Sequence, residues 1–99
     1  MTSTILMTGN MIRMNDDGKT YVVAKLTPDS YGVRRVDVTF NPAGRADVDL
    51  IKKMAAALME VIHEKAEALA GRDDAMRCLE TAMGHVETAA MYAVKGVTR

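Results

Sequence analysis

The residues best placed to do chemistry form one short run, Phe40-Asn41-Pro42-Ala43-Gly44-Arg45, which leads a predicted strand into the first turn of a predicted helix. Such a junction offers free backbone N–H groups and the positive end of a helix dipole, and both favour an anion. Arg34-Arg35, Lys52-Lys53 and Arg77 can add charge-assisted donors if the fold gathers them, and Tyr31 or Phe40 can stack on a base. Together Tyr31, Arg34, Arg35, Phe40, Asn41, Arg45 and Arg77 make a candidate phosphate and nucleobase grip. The same residues also make an adequate strand-to-helix turn among solvated charges, which needs no ligand. The run lacks the Gly-Lys-Ser/Thr ending of a P-loop, so nucleotide hydrolysis gains no support from it. Tyr31 lies in a Gly-flanked loop and is the expected stacking residue, whereas Phe40 continues the apolar face of its strand and is expected mainly in the core.

Catalytic chemistry finds little to use. His63 and His85 fall on different predicted helices with no Cys or carboxylate at zinc-ligand spacing, so neither a metal nor a cofactor is expected. Cys78, His85 and Tyr92 recur every seven residues on one helix column, but that column spans roughly 20 Å, too long for a compact triad. An oligomer face of mixed polarity explains it better. Glu80 with Glu87, and Thr81 with Thr88, repeat in the same way and suggest interhelical hydrogen bonds. A binding protein that is not an enzyme is the expectation.

The elements that must position these residues separate cleanly. Thr4 to Met14 mixes β-branched and apolar residues, Asn15-Asp16-Asp17-Gly18 is turn chemistry, and Thr20 to Leu26 resumes as a strand. After a breaker at Pro28 to Gly32, the alternation of Val36, Val38 and Phe40 predicts a third antiparallel strand. Gly9-Asn10 is either a bulge or a further turn, which leaves three or four strands open. Beyond Asp47 the pattern turns helical: no Gly or Pro interrupts it until Gly71, so one helix is expected over about 47–70 and a second after Asp73 or Asp74. Val48, Ile51, Ala55, Leu58, Ile62, Ala66 and Leu69 form the expected inner face of the first, widened by Met54 and Val61. The short connection at Gly71 makes the helices antiparallel. The fold class is therefore α+β, one domain over 1–99 with a small β meander over 1–45 and a helical hairpin over 46–99.

On the last helix Met76, Leu79, Met83, Val86, Ala90, Ala93 and Val97 make a seam of alternating three- and four-residue steps. Beside it, Ala75, Ala82, Ala89 and Gly96 make a stripe with almost no side chain. Two packing faces exceed what a lone hairpin needs, and at 99 residues a homo-oligomer would add considerable burial. Thirteen basic residues balance thirteen acidic ones, so no net field steers the chain to a nucleic-acid backbone. A single Cys78, the lack of a long apolar run and the lack of a secretion signal point to the cytoplasm and away from a membrane. Nine methionines against three tyrosines and one phenylalanine predict an adaptable core with few large anchors.

The order of meander, Asn-Pro turn and terminal hairpin resembles the phage family of Thoeris anti-defence proteins, whose hairpin is shared with phage anti-CBASS proteins. The matching residues are Phe40-Asn41-Pro42-Ala43-Gly44, then Val48-Asp49-Leu50-Ile51-Lys52 with Ala55-Ala56-Ala57-Leu58. In the second helix they are Arg77-Cys78-Leu79 and the run from Glu87 to Gly96, with Tyr92 standing where the family is associated with Trp. The resemblance covers roughly the last sixty residues. It implies a homo-oligomer, often a hexamer, that sequesters cyclic nucleotide signals of bacterial immunity without cleaving them. Glycocyclic ADP-ribose belongs to the Thoeris branch, and cyclic di- or trinucleotides to the anti-CBASS branch. For a phage-encoded member the compartment is the host cytoplasm. The alternative is a structural phage or bacterial homo-oligomer with the same seam and no small-molecule ligand.

Overall fold

Two tight turns near the N-terminus set the sheet. The computed structural model describes residues 3–99; Met1 and Thr2, which head the expected meander, lie outside the described residues. Strands β1 (Ser3–Thr8), β2 (Met11–Asp16) and β3 (Lys19–Lys25) pair antiparallel in the order β1-β2-β3. Gly9-Asn10 is thus a two-residue turn between separate strands. Asp17-Gly18 closes the second hairpin with φ of 52° and 78°, the pair of positive values that matches a tight turn to the twist of its strands. A register shift at Ile12/Arg13 places Ile12 opposite Ala24 and Arg13 opposite Val22, so β3 accommodates an extra residue there. Ile12 and Ala24 are buried, whereas Ile5 and Val22 remain exposed.

The predicted third strand over Val33 to Phe40 does not form. In its place stands a short helix, α1 (Tyr31–Arg35), followed by a turn. The two-residue alternation of Val36, Val38 and Phe40 conceals a three-residue step, and it is Val33 and Val36 that are buried. Long-range contacts decide between the two periods. Gly32 lies so close to the next helix that an added Cβ would meet the carbonyl of Ala56, with the Ala56 carbonyl carbon at 3.0 Å and its Cα at 3.1 Å. The Glu60 side chain accepts the Gly32 N–H, which Ser30 does not cap through its side chain. At the other end Asp37 adopts φ 56° and the Val38 N–H reaches the Val33 carbonyl at 3.1 Å, the six-to-one bond of a Schellman ending. Asp takes the left-handed place usually held by glycine.

Helices α2 (Ala46–Ala68) and α3 (Asp73–Val97) make the hairpin. Gly71, at φ 94°, sits in the short connection between them. The start of α2 shares a cleft with the end of α3, since Lys52 faces Met91 and Val94, while His63 and Ala66 meet Met76 and Met83. The helices are therefore antiparallel. The core joins Ile12, Ala24 and Leu26 to Val33, Val36, Ala56, Met59 and Met83. Met59 is the large side chain that is wholly enclosed, as the methionine-rich composition predicts.

The buried face of α2 keeps Val48 and Ala66 of the expected one, with Ala55 and Ile62 packed against the core, but excludes the expected Leu58 and Met54. Val48, Lys52, Ala56, Ala57, Met59 and Ala66 point inward, while Leu50, Met54 and Leu58 stand 49%, 59% and 51% exposed. The small Ala56 lets the Gly32 backbone of α1 approach closely. On α3 the seam is buried at Met83 and Ala90 and open at Ala93 and Val97. No helix of the chain is long and apolar enough to cross a membrane, among the described residues.

Candidate functional site

Arg35 is the centre of the strongest polar constellation. It is the last residue of α1, and the buried Gly32 and Val33 on the inner side of that helix leave Tyr31 and Arg35 to face the hairpin. Its Nη1 donates to the Tyr31 hydroxyl at 2.7 Å and its Nε donates to Glu87 Oε2 of α3 at 3.3 Å. Partial burial works against the guanidinium charge, but Tyr31 and Glu87 outweigh it and hold Arg35 above its ordinary value. Glu87 therefore bonds to α1, in the segment expected as a strand, and not to α2. Thr81 and Thr88 do not make the expected interhelical bonds, because each donates back to its own helix, to the carbonyls of Arg77 and Gly84.

The Tyr31 ring is itself held from the other direction. It stacks on His63 of α2 with ring centroids 4.0 Å apart and planes 7° apart, and His63 Nδ1 lies 3.4 Å from Glu67. His63 thus belongs to the constellation, although its lone position in the sequence gives no sign of it. Thirty-two positions separate it from Tyr31, and only the packing of α1 on α2 brings them together.

Two clefts open on either side of Arg35. One, of about 390 Å³, runs between the turn after α1 and the open end of the hairpin, with Lys52, Glu87, Met91 and Val94 among its walls. The other, of about 340 Å³, is framed by Tyr31, His63, Glu80 and Met83. Both pair an apolar surface with a few fixed polar groups, the composition that small-molecule sites share, and both are near the small end of the ligand range of ~300–1,000 Å³.

The run from Asn41 into α2, which follows a turn and not a strand, forms a second constellation. The Asn41 side chain donates to the Arg45 carbonyl at 2.8 Å and accepts the Arg45 N–H at 3.1 Å. Arg45 then grips Asp47 through Nε and Nη2 at 3.0 and 2.8 Å, and Asp47 accepts the Val48 N–H at 2.8 Å. The Arg45 hydrogen bonds, with smaller help from Val48, hold the Asp47 carboxyl below its ordinary 3.8. The first turn of α2 therefore carries its own carboxylate.

Phe40 corrects the expectation that it is a core residue. It is 62% exposed, because the turn after α1 aims it outward, and the Lys52 ammonium lies 5.3 Å from its ring centroid. Of the remaining candidates, Arg34 is exposed on the outer side of α1 and Arg77 is exposed near the start of α3. The fold thus brings Tyr31 to Arg35 and Asn41 to Arg45, and it leaves Arg34 and Arg77 apart from both pairs within one protomer. Tyr92 is 65% exposed, with the Lys95 Nζ 5.8 Å from its ring centroid.

The family profile described as Acb2/Tad1, hairpin domain, matches residues 32–98, which takes in α1 from Gly32 onward, the Asn41 turn and both long helices, and leaves Tyr31 just outside. No curated protein and no solved structure matches the chain.

Proposed function

This chain belongs to the Acb2/Tad1 hairpin-domain family, whose members are phage anti-defence proteins that take up cyclic nucleotides, and on that premise we propose that it is a sponge. It binds glycocyclic ADP-ribose or a cyclic oligonucleotide in the host cytoplasm and releases it uncleaved. The observation that carries this reading is the placement of Arg35 between two clefts, with its guanidinium held by Tyr31 and Glu87. A guanidinium fixed from two sides is pre-organised for phosphate, and aromatic faces supply the base contact. The ligand-binding set remains Tyr31, Arg34, Arg35, Phe40, Asn41, Arg45 and Arg77, now with His63 beside Tyr31.

The set works best across a homo-oligomer, for which a hexamer is the proposed size. A cleft of about 390 Å³ is small for a cyclic dinucleotide or trinucleotide, so a second protomer must supply further walls. Leu50, Met54 and Leu58 form an apolar ridge at helical spacing on the outside of α2, and Met91 and Tyr92 stand open on α3. Such faces suit contact between protomers, which would also bring Arg34 and Arg77 of one copy to the constellation of another. Incubating the protein with a panel of cyclic nucleotides, removing the excess, and heating it to release what is held tests the proposal. Recovery of one of them at unchanged mass is the expected result. Recovery of none identifies a structural oligomer, and recovery of a linear product identifies an enzyme.

A further inference from the structure

Lys52 is the buried charged residue of this fold, 8% exposed on the inner face of α2. An ammonium withdrawn from water must have its protons bonded, and none of the ion pairs among the described residues includes Lys52. Its bonds go instead to the backbone of the turn after α1. Nζ donates to the Asp37 carbonyl at 2.9 Å and to the Phe40 carbonyl, and it lies 5.3 Å from the Phe40 ring centroid. The Asp37 carbonyl also accepts the Phe40 N–H at 3.0 Å, so one carbonyl ties the turn to itself and to α2.

We propose that Lys52 is a positioning residue: its caged ammonium sets the turn over residues 37–40 and thereby aims Phe40 at the ligand. The turn contains a non-glycine residue at positive φ, Asp37, a conformation that costs an L residue some free energy even where Asp tolerates it best, and that the neighbouring contacts offset. The Schellman bond from Val38 holds one side and the two carbonyl bonds from Lys52 hold the other. Without the ammonium, the carbonyls of Asp37 and Phe40 lose the partner that points them inward, and the Phe40 ring loses the cation beside it. Lys52 also lines the larger of the two Arg35 clefts, so the turn and the cleft share one anchor. The ligand part of this inference rests on the sponge reading, whereas the loop part does not.

Lys52→Met keeps the length of the stem and removes the ammonium. Amide exchange at Val38 and Phe40 is expected to speed up by about tenfold or more, while the buried helix amides of Met59 and Met83 stay protected. With glycocyclic ADP-ribose as the probe, affinity is expected to fall about tenfold, the equivalent of one charge-assisted contact. In a Phe40→Ala background the same substitution should cost no further affinity, because Lys52 acts through Phe40. Additive losses, unchanged exchange at Val38 and Phe40, or opening of the Met59 and Met83 amides in step with them each overturns the proposal. If the unaltered protein does not take up the probe, the sponge reading fails for that ligand, and the exchange experiment still decides whether Lys52 sets the turn.

Discussion

Asn41 and Arg45 close a ring of two hydrogen bonds four residues apart, the side-chain amide donating to the Arg45 carbonyl at 2.8 Å and accepting the Arg45 N–H at 3.1 Å. One side chain thereby satisfies the residue at which the connection from α1 becomes α2. Asn41→Ala removes both bonds and is expected to lower stability by about 1–2 kcal/mol, read from the urea midpoint. Asn41→Asp keeps the acceptor and loses the donor, so it should fall between the two. Equal midpoints for all three proteins would show that water replaces the ring at no cost.

Gly32 sits against the backbone of Ala56, where any Cβ would overlap the carbonyl. Gly32→Ala should destabilise the protein by about 1–3 kcal/mol through overpacking. Because the obstruction is backbone, Ala56→Gly should not relieve it. A double variant that recovered the melting temperature would place the clash at the Ala56 side chain instead.

Arg35 and the outer arginines separate a cleft site from a diffuse one. Arg35→Ala should reduce cyclic-nucleotide affinity by one to two decades, about 1.5–3 kcal/mol, with Tyr31→Phe losing less because it keeps the stacked ring. An Arg34→Ala, Arg45→Ala, Arg77→Ala triple variant tests whether cations outside the clefts contribute. Full affinity in the triple variant, together with loss in Arg35→Ala, would confine the grip to the clefts.

The outer ridge of α2 carries the assembly prediction. Met54→Lys with Leu58→Lys places two ammoniums where apolar residues stand 59% and 51% exposed in the protomer. Burying a large apolar side chain contributes about 1.5–3 kcal/mol, so the pair should shift light-scattering mass toward smaller species. Ala89→Leu, on the exposed side of α3, probes the second stripe by overpacking. Unaltered mass in both variants would move the interface to the sheet.

Acid acts on the Arg45–Asp47 link. The Asp47 carboxyl is held below its ordinary 3.8 by the Arg45 hydrogen bonds, so ionised Asp47 favours the folded state. Its contribution is complete above the ordinary carboxylate value and disappears as pH falls through the lowered folded one. Asp47→Asn should therefore show a flatter stability profile than the unaltered protein below about pH 4. Parallel profiles would mean that the link carries no free energy.

Local chemistry made part of this fold legible. Asp17-Gly18 predicted its hairpin, and Gly71 predicted the connection between the long helices, because a positive φ leaves a mark on residue choice. The segment from Val33 to Phe40 reads as a strand and folds as a helix and turn, for a physical reason. Its valines satisfy both a strand period and a helical one, and what selects the helix is the backbone of Ala56, the carboxylate of Glu60 and the ammonium of Lys52, all on α2. Lys52 itself looked like one of two adjacent surface lysines, since nothing nearby in sequence distinguishes it from Lys53. The site was legible in residue type and incomplete in grouping: Tyr31 and Arg35 are a helical turn apart and meet, whereas His63 and Glu87 join them only through tertiary packing.

The carbonyl cage around Lys52 answers to ionic strength differently from the exposed Arg45–Asp47 pair. Dissolved ions weaken an exposed pair such as Arg45 with Asp47, and they compete with phosphate for open guanidinium groups. They have no comparable access to an ammonium 8% exposed and bound to backbone dipoles. Salt therefore divides the molecule into two parts, a scaffold whose shape it leaves alone and a surface whose hold on anions it loosens.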